Sequence, residues 1–353
     1  MGETDGKDTS DKPAQGRGRR AALLLVGVAV VIWSAMHLSA LGASWTQAWH
    51  LIANLGWRWP IFLGVVWLLG LVVHTSVLTA SLPGLSHRRA LTLNLSGSAV
   101  SNVLPLGGVA GTALNLGMVR GWGHTGLEFA RFVVVSKAWD LVAKLVMPLV
   151  AVALLLLADA GPLGHGLLWL GCSALSAGAG LLVVAALLGR AAPLLRLVSL
   201  AERLWTRRPR RARSAAGGPD ASPGWAAATA ALLDGTDRLV RRRWAELSWG
   251  MAGYWVLQGA LLWFCLAAIH VHLPMTVVLA ALVAERLLTV AAITPGGAGV
   301  VEAGTIAVLI ALGADPTDAL AGVLLYRAFV FVAEIPVGGL ATALWLLGRR
   351  LAA

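Results

Sequence analysis

Apolar stretches long enough to cross a bilayer recur along this chain, at about residues 21–41, 60–80, 127–157, 167–188, 244–269 and 317–347. About twenty apolar residues wound into a helix match roughly 30 Å of hydrocarbon. Backbone polar groups find no partner in that medium, so only helices and closed barrels can span it. Strict apolar runs, rather than alternation, select helices. Composition agrees: 58% of residues are hydrophobic and 13% charged, where a soluble domain carries about 25% charged, and the mean hydropathy is +0.77. The fold expected is therefore an all-α polytopic membrane protein.

Basic residues set the orientation. Residues 1–20 are polar and mixed in charge and end in Arg17, Arg19 and Arg20, which reads as a disordered cytoplasmic tail. Ala40-Leu41-Gly42-Ala43 also resembles the small-residue end of a signal peptide, but the long tail and the spans that follow favour an uncleaved anchor. An outer loop at about 42–58 holds Trp45, Trp49, Trp57 and Trp59, suited to the headgroup level. His87, Arg88 and Arg89 mark the return to the cytoplasm. A connector at 190–243 holds twelve arginines among the chain's 28 basic residues, as the cytoplasmic side requires. Within it, 193–205 suits an interfacial helix and 214–224 a flexible linker. The net charge of +11 does not point to nucleic acid, because the basic residues flank apolar segments instead of alternating with aromatics. Cys172 and Cys265 sit in apolar runs and read as small packing residues. The eight histidines show no metal-ligand spacing and no nucleotide-binding Gly/Lys motif occurs, so no cofactor is expected.

Two segments break the pattern. Ile293-Thr294-Pro295-Gly296-Gly297-Ala298-Gly299 interrupts an apolar stretch with proline and glycine, and Leu104-Pro105-Leu106-Gly107-Gly108 does the same earlier. A shift of 190 residues (295 minus 105) lays Pro105 on Pro295, Gly107 on Gly297, Gly123 on Gly313, Glu128 on Asp318 and Lys137 on Arg327 without a gap. The chain thus contains a duplication, with units at about 59–157 and 249–347. Each break is best accommodated as a re-entrant hairpin, about 91–104 with 109–119, and about 275–293 with 300–312. Six full transmembrane helices plus two hairpins put every dense arginine cluster and both termini in the cytoplasm. They also give the two units inverted topology. Inverted repeats with discontinuous helices are a transporter architecture, and the breaks mark the site near the midplane.

Polar residues in the apolar segments are the site candidates. At the second break, Pro295, Gly296, Gly297 and Gly299 expose backbone groups, and the amides that follow attract anions. Glu302 lies one turn further on; in hydrocarbon it must pair with Arg327, hold a proton or face water. Arg327 and Glu334 are seven residues apart and share an α-helical face. Glu285 and Arg286 are adjacent and do not. In the first unit the candidates are Asn102, Pro105, Asn115, Arg131, Lys137 and Asp140. The spacing of Lys137, Asp140 and Lys144 lets Asp140 pair with either lysine. Arg131 either reaches an anionic headgroup or snorkels to water, and Asn102 either contacts substrate or caps the broken helix.

Thr294-Pro295-Gly296-Gly297-Ala298-Gly299-Val300-Val301-Glu302 followed by Tyr326-Arg327, with Asn102 to Gly108, Arg131 and Asp140 in support, resembles the lysylphosphatidylglycerol synthase transmembrane family of flippase-like proteins. The likeness covers residues 20–348. It implies a multi-pass protein of the bacterial cytoplasmic membrane that moves or handles lipid headgroups, phospholipid or polyprenyl-phosphate-linked. The sequence ends at Ala353 without room for the soluble aminoacyl-transfer domain of the full synthase, so lysine transfer is not expected. Two other readings remain: a non-transporting scaffold for a lipid-modifying membrane partner, and a membrane enzyme acting on a lipid-linked substrate. The second lacks an acid-base or metal constellation.

Overall fold

The computed structural model describes residues 28–104, 107–157, 225–291 and 294–352. The tail, Pro105, the span expected at 167–188 and the connector from Arg190 to 224 lie outside these residues. Every regular element described is helical. The described residues open with α1 (Val28–Ala40), then α2 (Trp45–Ala53), bent 94° from it. What reads in the sequence as an outer loop is therefore partly helix. Ser44 caps it, its Oγ accepting the Gln47 N–H at 3.4 Å, and Trp49 and Trp57 remain exposed on either side of its end. Among the described residues, three helices are each long and apolar enough to cross a bilayer: α3 (Arg58–Ser81), Thr229–Ala268 within α7 (Trp225–Ala268), and the continuous stretch Pro316–Arg350.

Between them lie the broken segments. The first comprises α4 (His87–Val103) and α5 (Gly107–Gly121), the second α8 (Met275–Ala291), a 3-10 turn at Pro295–Gly297 and α9 (Val300–Ala311). Each is followed by a long helix, α6 (Gly126–Leu157) and α10 (Pro316–Arg327) respectively. Adding 190 to Gly126 gives 316, the first residue of α10. The preceding turns also correspond, Gly123 and Gly313 having φ of +93° and +94°. Both helix starts are capped by side chains. Glu128 accepts the Thr125 N–H at 2.7 Å, and Asp315 accepts the Thr317 N–H at 2.8 Å.

The described residues divide into two compact units. One comprises 28–69, 91–117 and 257–352, and so holds both breaks. Its centre is α10, where Leu320, Val323, Leu325 and Tyr326 are buried together with Leu261, Leu262 and Leu266 of α7, Leu282 of α8 and Ile306 of α9. In lipid, helices are held by close packing rather than by a hydrophobic drive, and small residues permit that approach here. A Cβ on Gly111 of α5 would collide with the Gly97 carbonyl of α4. A Cβ on Gly338 would collide with the Leu95 carbonyl. At the far end of the chain Leu340, Leu344 and Leu347 are exposed, an apolar face suited to acyl chains.

The other unit comprises 70–90, 118–157 and 225–256. Val77, Ala80, Val135, Leu247, Met251 and Trp255 form its core, flanked by Trp139 and Met147. Here α7 begins at Trp225, well before the apolar run at 244. Its first half is alanine-rich, and Asp234 with Arg238 and Asp237 with Arg241 pair one turn apart on its exposed surface. Such pairs support a helix whose surroundings are water, so part of the expected connector is helix.

After α10 the helix changes register. Residues Ala328–Ala333 form a π segment, and α11 (Glu334–Ala352) completes the chain. The wider turn advances each residue by a smaller angle than the 100° of an α-helix. Over six residues the lag amounts to about 100°. Arg327 and Glu334 therefore do not share a face through simple heptad spacing, as an uninterrupted α-helix requires.

Candidate functional site

The second break is built around Gly296 and Arg327. Gly296 has φ of +57°, in the left-handed region that side chains avoid, and a Cβ there would overlap the Phe331 ring. Only glycine fits. The turned-out Gly296 carbonyl accepts the Arg327 Nη2–H at 2.9 Å, while Arg327 Nε donates to Glu302 Oε1 at 2.6 Å. The other Glu302 oxygen, Oε2, accepts the Gly299 N–H at 2.7 Å. Gly299, with φ of +86°, is the N-cap of α9. The helix start that would attract an external anion thus holds the protein's own carboxylate, and a guanidinium backs that carboxylate. Pro295 opens the turn, and Gly297 is buried, its N–H donating to the Thr294 carbonyl at 3.0 Å. The Arg327 guanidinium also stands 4.7 Å from the Phe331 ring centroid, a cation–π contact.

The first break adjoins this turn. Asn102, in the last turn of α4, donates its side-chain N–H to the Phe331 carbonyl at 3.3 Å, inside the π segment. The Asn102 Oδ1 lies 3.0 Å from where a Gly296 Cβ would stand. Asn102 and Ser98 stand near the Glu334 carboxylate, which also feels the charges of Arg286 and Arg327. Asn102 therefore does more than cap its own helix. It joins two breaks about 190 positions apart. Asn115 stays nearer home, packed against Gly97.

A second arginine completes the cluster. Arg286 Nη2 donates to the Tyr326 hydroxyl at 2.8 Å, and that hydroxyl donates to Gln258 Oε1 at 3.4 Å. Arg286 Nε also stands 2.7 Å from Glu285 Oε2. Adjacent Cβ atoms on a helix diverge by about 100°, but the long arginine stem folds back far enough for the charged ends to meet. Glu285 is 1% exposed, so the contact is made away from water. Tyr326, Gln258 and Ser98 are absent from the candidates drawn from sequence. Their signal was available, since Gln258 is an amide within an apolar run, and polar groups in such runs need partners.

The three other charged candidates, also from the first repeat, belong to the compact unit of 70–90, 118–157 and 225–256. Arg131 Nη2 donates to the Ala231 carbonyl at 3.2 Å, and Asp140 pairs with Lys144 at 2.9 Å. Lys137 is exposed. Asp140 thus takes the C-terminal of its two lysine choices, with the acid preceding the base as the helix dipole favours. Among the described residues no group of three or more His, Cys, Asp or Glu side chains is placed to hold a metal ion.

The cluster can bind and exchange charge without covalent chemistry: two guanidiniums, three carboxylates, two amides, a serine hydroxyl and a phenol meet at two helix breaks. Residues 21–338 match the family model described as the lysylphosphatidylglycerol synthase TM region. A comparison with curated proteins finds no match.

Proposed function

The chain belongs to the lysylphosphatidylglycerol synthase transmembrane-region family, and from that membership and the cluster at the breaks we propose that it is a flippase-like lipid transporter for an anionic or phosphate-linked headgroup. The observation that carries this reading is Glu302. Its carboxylate lies on the Gly299 amide and on Arg327, the two donors a phosphate oxygen would use. A headgroup phosphate competes for those donors and releases Glu302, while acyl or prenyl chains stay in the bilayer beside the exposed leucines of α11.

The proposed architecture has six full spans and two re-entrant hairpins in two inverted units, with both termini cytoplasmic. The matched helix starts at Gly126 and Pro316, and the paired turns at Gly123 and Gly313, support the duplication. Rocking of one unit against the other would expose the breaks to each leaflet in turn.

The test is leaflet-selective lipid movement in proteoliposomes, using a panel of labelled phospholipids, aminoacyl phospholipids and polyprenyl phosphates. Wild-type protein should move one class, and Arg327→Gln, inserted and folded, should slow it at least tenfold. Equal movement by both proteins removes Arg327 from the route. No movement of any class by correctly inserted wild-type protein overturns the transport reading.

A further inference from the structure

Among the described residues, the charges at the breaks do not balance. Glu285, Glu302 and Glu334 supply three carboxylates, and Arg286 and Arg327 supply two guanidiniums. Glu285 lies against Arg286 at 2.7 Å and Glu302 against Arg327 at 2.6 Å. Glu334 stands near Ser98 and Asn102 of α4 and in the fields of the same two arginines, and no ion pair within 4 Å is recorded for it among the described residues. It is 8% exposed. With all five groups ionised, a desolvated cluster would carry one uncompensated negative charge, and that state is costly in hydrocarbon.

An arriving phosphate makes the imbalance worse, since it adds negative charge where one carboxylate is already in surplus. We infer that Glu334 is a proton-binding residue of the transport cycle, protonated when an anionic headgroup occupies the breaks and deprotonated when the headgroup leaves. The inference rests on the transport reading for the headgroup, but proton binding at Glu334 stands on the cluster itself. The chemistry is a reversible transfer: a water-borne proton forms the O–H bond of the Glu334 carboxylic acid, and the same bond breaks when the site opens to the other face. Asn102 serves either state, its amide oxygen accepting from the acid and its N–H donating to the carboxylate. Among the described residues, the charges that act on Glu334 are Arg286 on α8 and Arg327 at the end of α10, which are paired with Glu285 and Glu302.

Two measurements separate this inference from the transport reading. Infrared difference spectra of the purified protein, recorded across a pH titration, should show a protonated carboxyl band that titrates in wild type and is missing in Glu334→Gln. In proteoliposomes of phosphatidylethanolamine and phosphatidylglycerol, with the membrane potential clamped, fluorescent phosphatidylglycerol and labelled polyprenyl phosphate serve as separate probes. One proton moved per lipid should enrich the moving probe about tenfold in one leaflet for each unit of pH difference. A missing band, or a band unchanged in Glu334→Gln, overturns the proton site. Probe movement that ignores the pH difference overturns its part in the cycle and leaves the transporter standing. Absence of all probe movement, with the Glu334 band present, overturns the transport reading and leaves the proton site.

Discussion

Replacing Arg327 by Met should be far more damaging than its size change suggests, because it strands Glu302. The two side chains are 7% and 16% exposed, so water screens their attraction little. Removing one partner of such a pair costs about 3–5 kcal/mol, through the uncompensated charge left behind. At 1.4 kcal/mol per factor of ten, that is a hundredfold to several-thousandfold shift in the folding equilibrium. Replacing both partners removes the stranded charge. In the double variant Arg327→Met/Glu302→Gln the glutamine oxygen still accepts the Gly299 N–H, so the start of α9 keeps its bond. The double variant should therefore recover most of the loss, with a coupling of at least about 2 kcal/mol between the positions. Equilibrium unfolding in mixed detergent micelles, on wild type, both singles and the double, closes the cycle. A coupling below about 0.5 kcal/mol, or a single Arg327→Met within about 1 kcal/mol of wild type, would refute the claim that this buried pair holds the break together.

Gly296→Ala meets both a left-handed backbone and the Phe331 ring, so we expect a loss of about 2–4 kcal/mol, read by the same unfolding assay; a change under about 0.5 kcal/mol would show that the turn relaxes freely. Tyr326→Phe removes the hydroxyl between Arg286 and Gln258 and should cost about 1–3 kcal/mol, read by the same unfolding assay; no loss would show that water takes its place. Asp315→Ala deletes the cap that receives the Thr317 and Asp318 N–H groups; a stability loss of about 1 kcal/mol is expected, and none if water replaces the cap.

The breaks were legible in sequence because their chemistry is local. Proline and three glycines within five residues disrupt a helix wherever they occur, and the 190-residue shift shows itself without reference to space. Tyr326 and Gln258 were less visible, since each looks like an ordinary residue of an apolar helix until its partner is known. The Asn102 bond to the Phe331 carbonyl spans 229 positions, and no spacing rule reaches that far. Nothing in Ala328-Phe329-Val330-Phe331-Val332-Ala333 announces a π register either, because those residues suit an α-helix equally well. The early start of α7 was hidden for the opposite reason: the arginines read as a sign of a cytoplasmic loop also form the ion pairs that support a helix there.

The π segment carries a consequence for how the C-terminal helix tolerates changes in length. Deleting one residue from an ordinary spanning helix turns everything beyond the deletion by about 100° and breaks its packing. Between Ala328 and Ala333 a deletion has somewhere to go, because the shortened segment can settle into regular α-helix with all its backbone bonds made. A chain lacking Val332 should therefore insert as well as the full-length protein, with α11 kept in its orientation and the Phe331 carbonyl drawn back into the helix. The acceptor for Asn102 would then be gone, and the first break would lose its tie to the second in a protein that otherwise folds.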